Sequence, residues 1–194
     1  MANQVNHMKK IGLQVLAILI IATTISVDGL AQNPVKTVGA AEVYYFKEKN
    51  KTRAQVRIYL VGKAEDIGTK KDTLSVDFII EVDGQKLTRP KFANLAFTAY
   101  SAEKSKYQSN HDMMIYTDAA GERSSKNFGT QLLKSMQHPA GGIMEVYLSP
   151  PIEYERILKI LNAMVSGITL GNTRAALKKE DVQALKDLNS TIEK

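Results

Sequence analysis

Residues 75–90 read SVDFIIEVDGQKLTRP, and the period of that stretch sets the fold class. Val76, Phe78, Ile80 and Val82 alternate with Ser75, Asp77, Ile79 and Glu81. A period of two is the signature of a half-buried strand with one face on a core. The run ends at Asp83-Gly84, a favoured two-residue hairpin turn. With that pair at the tip, Val82 faces Gln85, Glu81 faces Lys86 and Ile80 faces Leu87. One face then carries an opposite-charge pair and the other an apolar pair, so the sequence predicts a hairpin here. Pro90 is expected to end the ladder, because proline has no N–H to donate.

The same period extends outward in both directions. Ala54, Val56, Ile58 and Leu60 alternate with Gln55, Arg57, Tyr59 and Val61. EVYYFK (42–47) is expected to pair with 52–62 across the KEKN turn. FANLAFTAY (92–100), DMMIYT (112–117, before the turn Asp118-Ala119-Ala120-Gly121) and IMEVYLS (143–149) read as further strands. In the last of these, Met144, Val146 and Leu148 alternate with Glu145 and Tyr147. Strands at this spacing without long helices between them argue for antiparallel sheets. Residues 128–138 are ambiguous: Leu132, Leu133 and Met136 allow a short helix before HPAGG.

The pattern changes at Ser149-Pro150-Pro151, where Ser is read as an N-cap and Pro as a first helical residue. Tyr154, Ile157, Leu158, Leu161 and Met164 follow at helical spacing, with Gly167 as the expected stop. Gly171-Asn172 then places Leu170 opposite Thr173, Thr169 opposite Arg174 and Ile168 opposite Ala175, a tight hairpin rather than a phosphate loop. Val182, Leu185, Leu188 and Ile192 make a second amphipathic helix. The expected class is mainly β or α+β: an antiparallel β-sandwich-like body (41–149), then a helix–hairpin–helix segment (150–193) in which two amphipathic helices flank a β-hairpin.

Residues 8–32, MKKIGLQVLAILIIATTISVDGLAQ, carry a positive start, an apolar run and small residues before Ala31. That order reads as a signal peptide over 1–31, cut between Ala31 and Gln32, with translation expected to start at Met8. The run is shorter and less apolar than the roughly 20 residues that a membrane-spanning helix needs. No cysteine stands at the cut, so no lipid can be attached there. The expectation is a single exported domain over 32–194, bacterial, periplasmic or extracellular, with no stable membrane anchor after cleavage.

Composition narrows the chemistry. The chain has no cysteine, which removes disulfides, thiol nucleophiles and thiolate metal sites. Its formal charge of +6 becomes +5 once Lys9, Lys10 and Asp28 leave with the leader. The basic residues are scattered; only KEKNKTR (47–53) is dense, so no nucleic-acid face is expected. His111 and His138 are the histidines of the mature chain, and no zinc spacing exists, so no metal and no cofactor are expected. No G-x-S-x-G elbow is present.

Three functional expectations follow. The leading one is a non-catalytic module that binds an unknown envelope protein or glycan, with Tyr44, Tyr45, Phe46 and Tyr59 as an aromatic surface. The alternative is a small exported hydrolase drawing on His111, Asp112 and the loop Ser101–Lys104, which matches S-x-x-K as a string. The third is an assembly subunit of a cell-surface structure, which predicts an unpaired, apolar edge strand or a large exposed apolar patch. No catalytic residue is assigned.

Overall fold

A computed structural model describes residues 34–119 and 122–193 of the chain. The segment read as a signal peptide and its Ala31–Gln32 cut lie outside the described residues. In chain order the strands are β1 (Lys36–Val38), β2 (Ala41–Phe46), β3 (Lys51–Val61), β4 (Thr73–Asp83), β5 (Phe92–Ser101), β6 (Met113–Ala119), β7 (Glu122–Phe128), β8 (Gln131–Gln137), β9 (Ile143–Leu148) and β10 (Ile152–Glu153). Helix α1 (Tyr154–Asn162), strands β11 (Val165–Leu170) and β12 (Thr173–Ala176) and helix α2 (Lys179–Ser190) complete the order. The expected antiparallel body and the helix–hairpin–helix segment are both present.

The strands form two sheets. The larger runs β1-β2-β3-β4-β5-β9-β8, with β10 continuing beside β5; the smaller runs β12-β11-β6-β7. Every pairing is antiparallel. The period-two faces explain why the sheets close on each other. Ala54, Val56 and Ile58, then Val76, Phe78 and Ile80, then Leu95, Phe97 and Ala99 line one face of the large sheet. They join Met113, Ile115, Ile168 and Leu170 of the small sheet, Ile157 and Ile160 of α1, and Leu185 and Leu188 of α2 in one core. Burying such side chains is the main favourable term in folding.

Two hairpins form as the sequence predicts. β2 pairs with β3 through Tyr45 and Thr52 across the 47–50 turn. Leu170 faces Thr173, Thr169 faces Arg174 and Ile168 faces Ala175, with Gly171 at a positive φ of 54°.

Three readings are corrected, those of Asp83-Gly84, Ser149 and Gly167, and the ambiguity at 128–138 is resolved. Asp83-Gly84 does turn, with Gly84 at φ 89°, but it is not the tip of a hairpin. Gly84 N–H donates to Asn50 and its carbonyl accepts from Thr52, so the end of β4 is held by β3. Residues 85–91 leave the sheet, and the ladder resumes with Ile79 opposite Asn94. The physical reason is Leu87. It enters the core at 3 % exposure, and its carbonyl accepts from Glu193 N–H, which pairing with Ile80 would forbid.

Ser149 is not an N-cap. Its hydroxyl accepts from Leu95 N–H and its own N–H donates to the Leu95 carbonyl. It thus stands in for a ladder residue just before two prolines that cannot donate. The helix starts later, at Tyr154, and Gly167 lies inside β11 rather than at a helix end. Segment 131–137 is strand β8, not helix, because β9 offers it an open edge and a bulge between Leu132 and Lys134 absorbs the irregular spacing. In β9 the deepest side chains are Glu145 and Tyr147 (1 % and 0 % exposed), while Met144 and Val146 are only half-buried.

The last helix reaches back to the first strands. Asp187 of α2 accepts from Ala40 N–H at 3.1 Å, and Gly39 packs so closely against that carboxylate that an added Cβ would stand 2.0 Å from it.

Candidate functional site

The four aromatic residues singled out in the sequence do not form one platform. Tyr44 and Phe46 share the outer face of the large sheet, with ring centroids 6.5 Å apart. Burial and the Glu42 carboxylate, to which it donates, push the Tyr44 phenol up to about 12. Tyr45 points to the opposite face and donates to Asn50. Tyr59 is on the outer face but six residues beyond Arg53 on β3, about 20 Å away at 3.3 Å per residue.

What accompanies Tyr44 and Phe46 is a charge network. Arg53 lies 5.0 Å over the Phe46 ring, and both Arg53 and Lys51 reach Glu81 at 2.9 Å. Burial pushes the Glu81 carboxyl up, but the hydrogen bonds from Lys51 and Arg53 outweigh it, so it titrates below its ordinary range. A carboxyl depressed in the folded state contributes stability above its unfolded pKa and loses it as pH falls through the folded value. Acid unfolding is therefore expected to be less steep in Glu81→Gln than in the parent below about pH 4.5, as read by circular dichroism against pH. Parallel profiles would refute this role.

The residues of the hydrolase alternative are not joined. Ser101 is 1 % exposed and its hydroxyl makes no hydrogen bond. His111 sets its ring 5.1 Å from that of Tyr147 and its Nδ1 3.3 Å from the Tyr107 carbonyl. Asp112 and Lys104 are exposed. Beside them Glu145 accepts from Ser105 at 2.6 Å, and the Tyr147 hydroxyl lies against both of these side chains. Burial and then the Glu145 charge push the Tyr147 phenol well above its ordinary range. Glu145 and Tyr147 are buried, while Ser105 and His111 are partly exposed.

An open site lies on the outer face of the small sheet. Alternation sends Ile115, Ile168 and Leu170 inward and turns Met114, Tyr116, Asp118, Thr169 and Arg174 outward. Tyr116 stands opposite Gly167, and the missing side chain there lets the phenol ring lie across β11. Its hydroxyl donates to the Ala175 carbonyl at 3.2 Å. The Arg174 guanidinium covers the ring at 4.4 Å from its centroid and makes no ion pair among the described residues. Asp118, opposite Val165, keeps one carboxylate oxygen buried with no hydrogen-bond partner among the described residues. Together with Ser125 and Thr169 these residues line a groove of about 440 Å³. That size falls within the range of small-ligand sites. Met164 and Val165 at its rim are 78 % and 50 % exposed.

The groove offers a negative end, a positive end and a floor between them. It contains no nucleophile hydrogen-bonded to a base, and no cluster of three or more His, Asp or Glu able to hold a metal is present among the described residues. The sequence reading passed over the groove, although a lone glycine inside an apolar alternation marks a close approach of another chain segment. Gly167 was that mark.

Among the described residues no helix is long and apolar enough to cross a membrane. Compared with protein-family models, with curated proteins and with solved structures, the chain matches none.

Proposed function

We propose that this chain is an exported, non-catalytic binding domain, addressed to the periplasm or the medium by residues 1–31, and that the groove on the outer face of the small sheet is its ligand site. The observation that carries this reading is the groove itself, with Asp118 at one end and Arg174 at the other, neither of them in an ion pair among the described residues. Leaving a buried acceptor without a partner costs about 1–3 kcal/mol. Asp118 lines the groove, and a donor that reached its buried carboxylate oxygen would remove that cost.

The separation of Ser101, His111 and Asp112 speaks against the hydrolase reading. The edges of the sheets speak against an assembly subunit. β1 is three residues long, β7 reads ERSSKNF, and β8 carries Lys134 and Gln137. Short or charged edges resist the strand addition that such assemblies use.

The test uses protein isolated from the soluble envelope fraction of its host, where its N-terminus is expected at Gln32. Short peptides and oligosaccharides from the same envelope are screened by thermal shift. At least one class is expected to raise the Tm of the parent and not that of Ser125→Trp, which fills the groove from an exposed position. A protein retaining residues 8–31 in the membrane pellet overturns the export reading. A Tm rise that survives Ser125→Trp, or no rise at all, overturns the groove.

A further inference from the structure

We infer that the groove takes a short peptide with both of its ends free, about three residues long. The inference rests on the binding reading above and assigns its ligand class.

The first observation is the pairing of opposite charges. Asp118 lines the groove and makes no ion pair among the described residues, so its carboxylate suits an ammonium group. Arg174 is exposed, makes no ion pair among the described residues and presents a planar fork of donors, which matches a carboxylate. A ligand that satisfies both carries a cation and an anion at its two ends.

The second observation is the spacing. Asp118 lies four residues along β6 from Met114, whose row contains Thr169 and Arg174. The Arg174 guanidinium leans back over Tyr116, two residues from Asp118. Two residues of strand are about 7 Å, and each strand crossed adds about 5 Å. The two charges are therefore about 8–12 Å apart. A single amino acid holds its ammonium and carboxylate too close together to reach both. An extended chain at about 3.3–3.6 Å per residue bridges the gap with about three residues.

The third observation separates a peptide from a glycan. Sugar recognition uses bare aromatic faces, and the Tyr116 ring is already covered by Arg174 and pinned to Ala175. A neutral sugar also brings no cation for Asp118. The rim suits a peptide instead, since Met164 and Val165 expose apolar surface where side chains would extend.

The probe is trialanine, titrated by calorimetry into the mature protein, alongside its N-acetylated and C-amidated forms. Free trialanine is expected to bind, and either block to weaken it at least tenfold. In Asp118→Asn the acetylated and free peptides are expected to bind alike; in Arg174→Gln the amidated and free peptides are expected to bind alike. Both positions border the cavity, and circular dichroism checks that each variant folds. Equal affinity of free and blocked peptides for the parent overturns the inference. So does failure of trialanine to bind, and if a different compound then binds in a manner lost in Ser125→Trp, the groove reading stands while the peptide assignment falls.

Discussion

Phe97→Ala is expected to destabilise the fold by about 3–5 kcal/mol, the usual cost of removing a buried phenyl ring. Phe97 is fully buried in β5, between Val76 of β4 and Tyr147 of β9. It therefore sits where an interior strand of the large sheet, with neighbours on both sides, meets the core. With a urea m-value of about 1–3 kcal/mol/M, the midpoint of unfolding is expected to fall by more than about 1 M. Phe92→Ala on the same strand is the control. That ring is 41 % exposed, and its loss is expected to cost about 1 kcal/mol or less. Equal losses at the two positions would show that β5 does not present the face assigned to it.

Gly167→Ala is the second large effect, and it acts on stability and binding together. The added Cβ would stand 2.0 Å from the Tyr116 hydroxyl and 2.5 Å from the Ala175 carbonyl oxygen. The tyrosine can swing away; the carbonyl belongs to the backbone of β12 and cannot do so without disturbing the hairpin. Overpacking of this kind costs about 1–3 kcal/mol. Displacing Tyr116 also breaks its bond to Ala175 and removes the ring from beneath Arg174, so the ligand-dependent Tm rise is expected to vanish. A double-mutant cycle isolates the cause. In a Tyr116→Ala background the same substitution is expected to cost less, because only the carbonyl contact remains. An identical cost in both backgrounds would remove Tyr116 from the explanation.

The features legible in the sequence were those with a local cause. The Gly171-Asn172 hairpin has a two-residue turn that fixes its register, and both its faces are consistent in that register alone. The β2–β3 pair and the alternation of β3 and β4 follow from the same logic. Asp83-Gly84 carried an equally good local signal and did not form a hairpin. Leu87 found burial near the C-terminal helix, more than 90 residues away in sequence, and no local pattern records that competitor. Ser149 bonds Leu95 rather than a helix terminus for the same reason. The sequence left β8 ambiguous because its two adjacent leucines also suit a helix, and only the edge of β9 makes it a strand. In β9 the polar face turned inward, because the contacts of Glu145 and Tyr147 come from the loop at Ser105–His111. The groove has the same origin. Tyr116 and Gly167 were both visible, but their meeting depends on β6 pairing with β11 about fifty residues later.

The clasp between Asp187 and the Gly39–Ala40 turn has a consequence for the order in which the chain can fold. The turn before β2 is fixed by a side chain in the last helix, and the core row at Leu185 and Leu188 closes over strands made much earlier. β5 likewise waits for β9, which follows it by more than forty residues. Long-range pairings of this kind make folding slow, because loop closure comes before the contacts that reward it. Until α2 has emerged, the row at Leu185 and Leu188 is missing and the core is incomplete, so the last helix is the element that closes it.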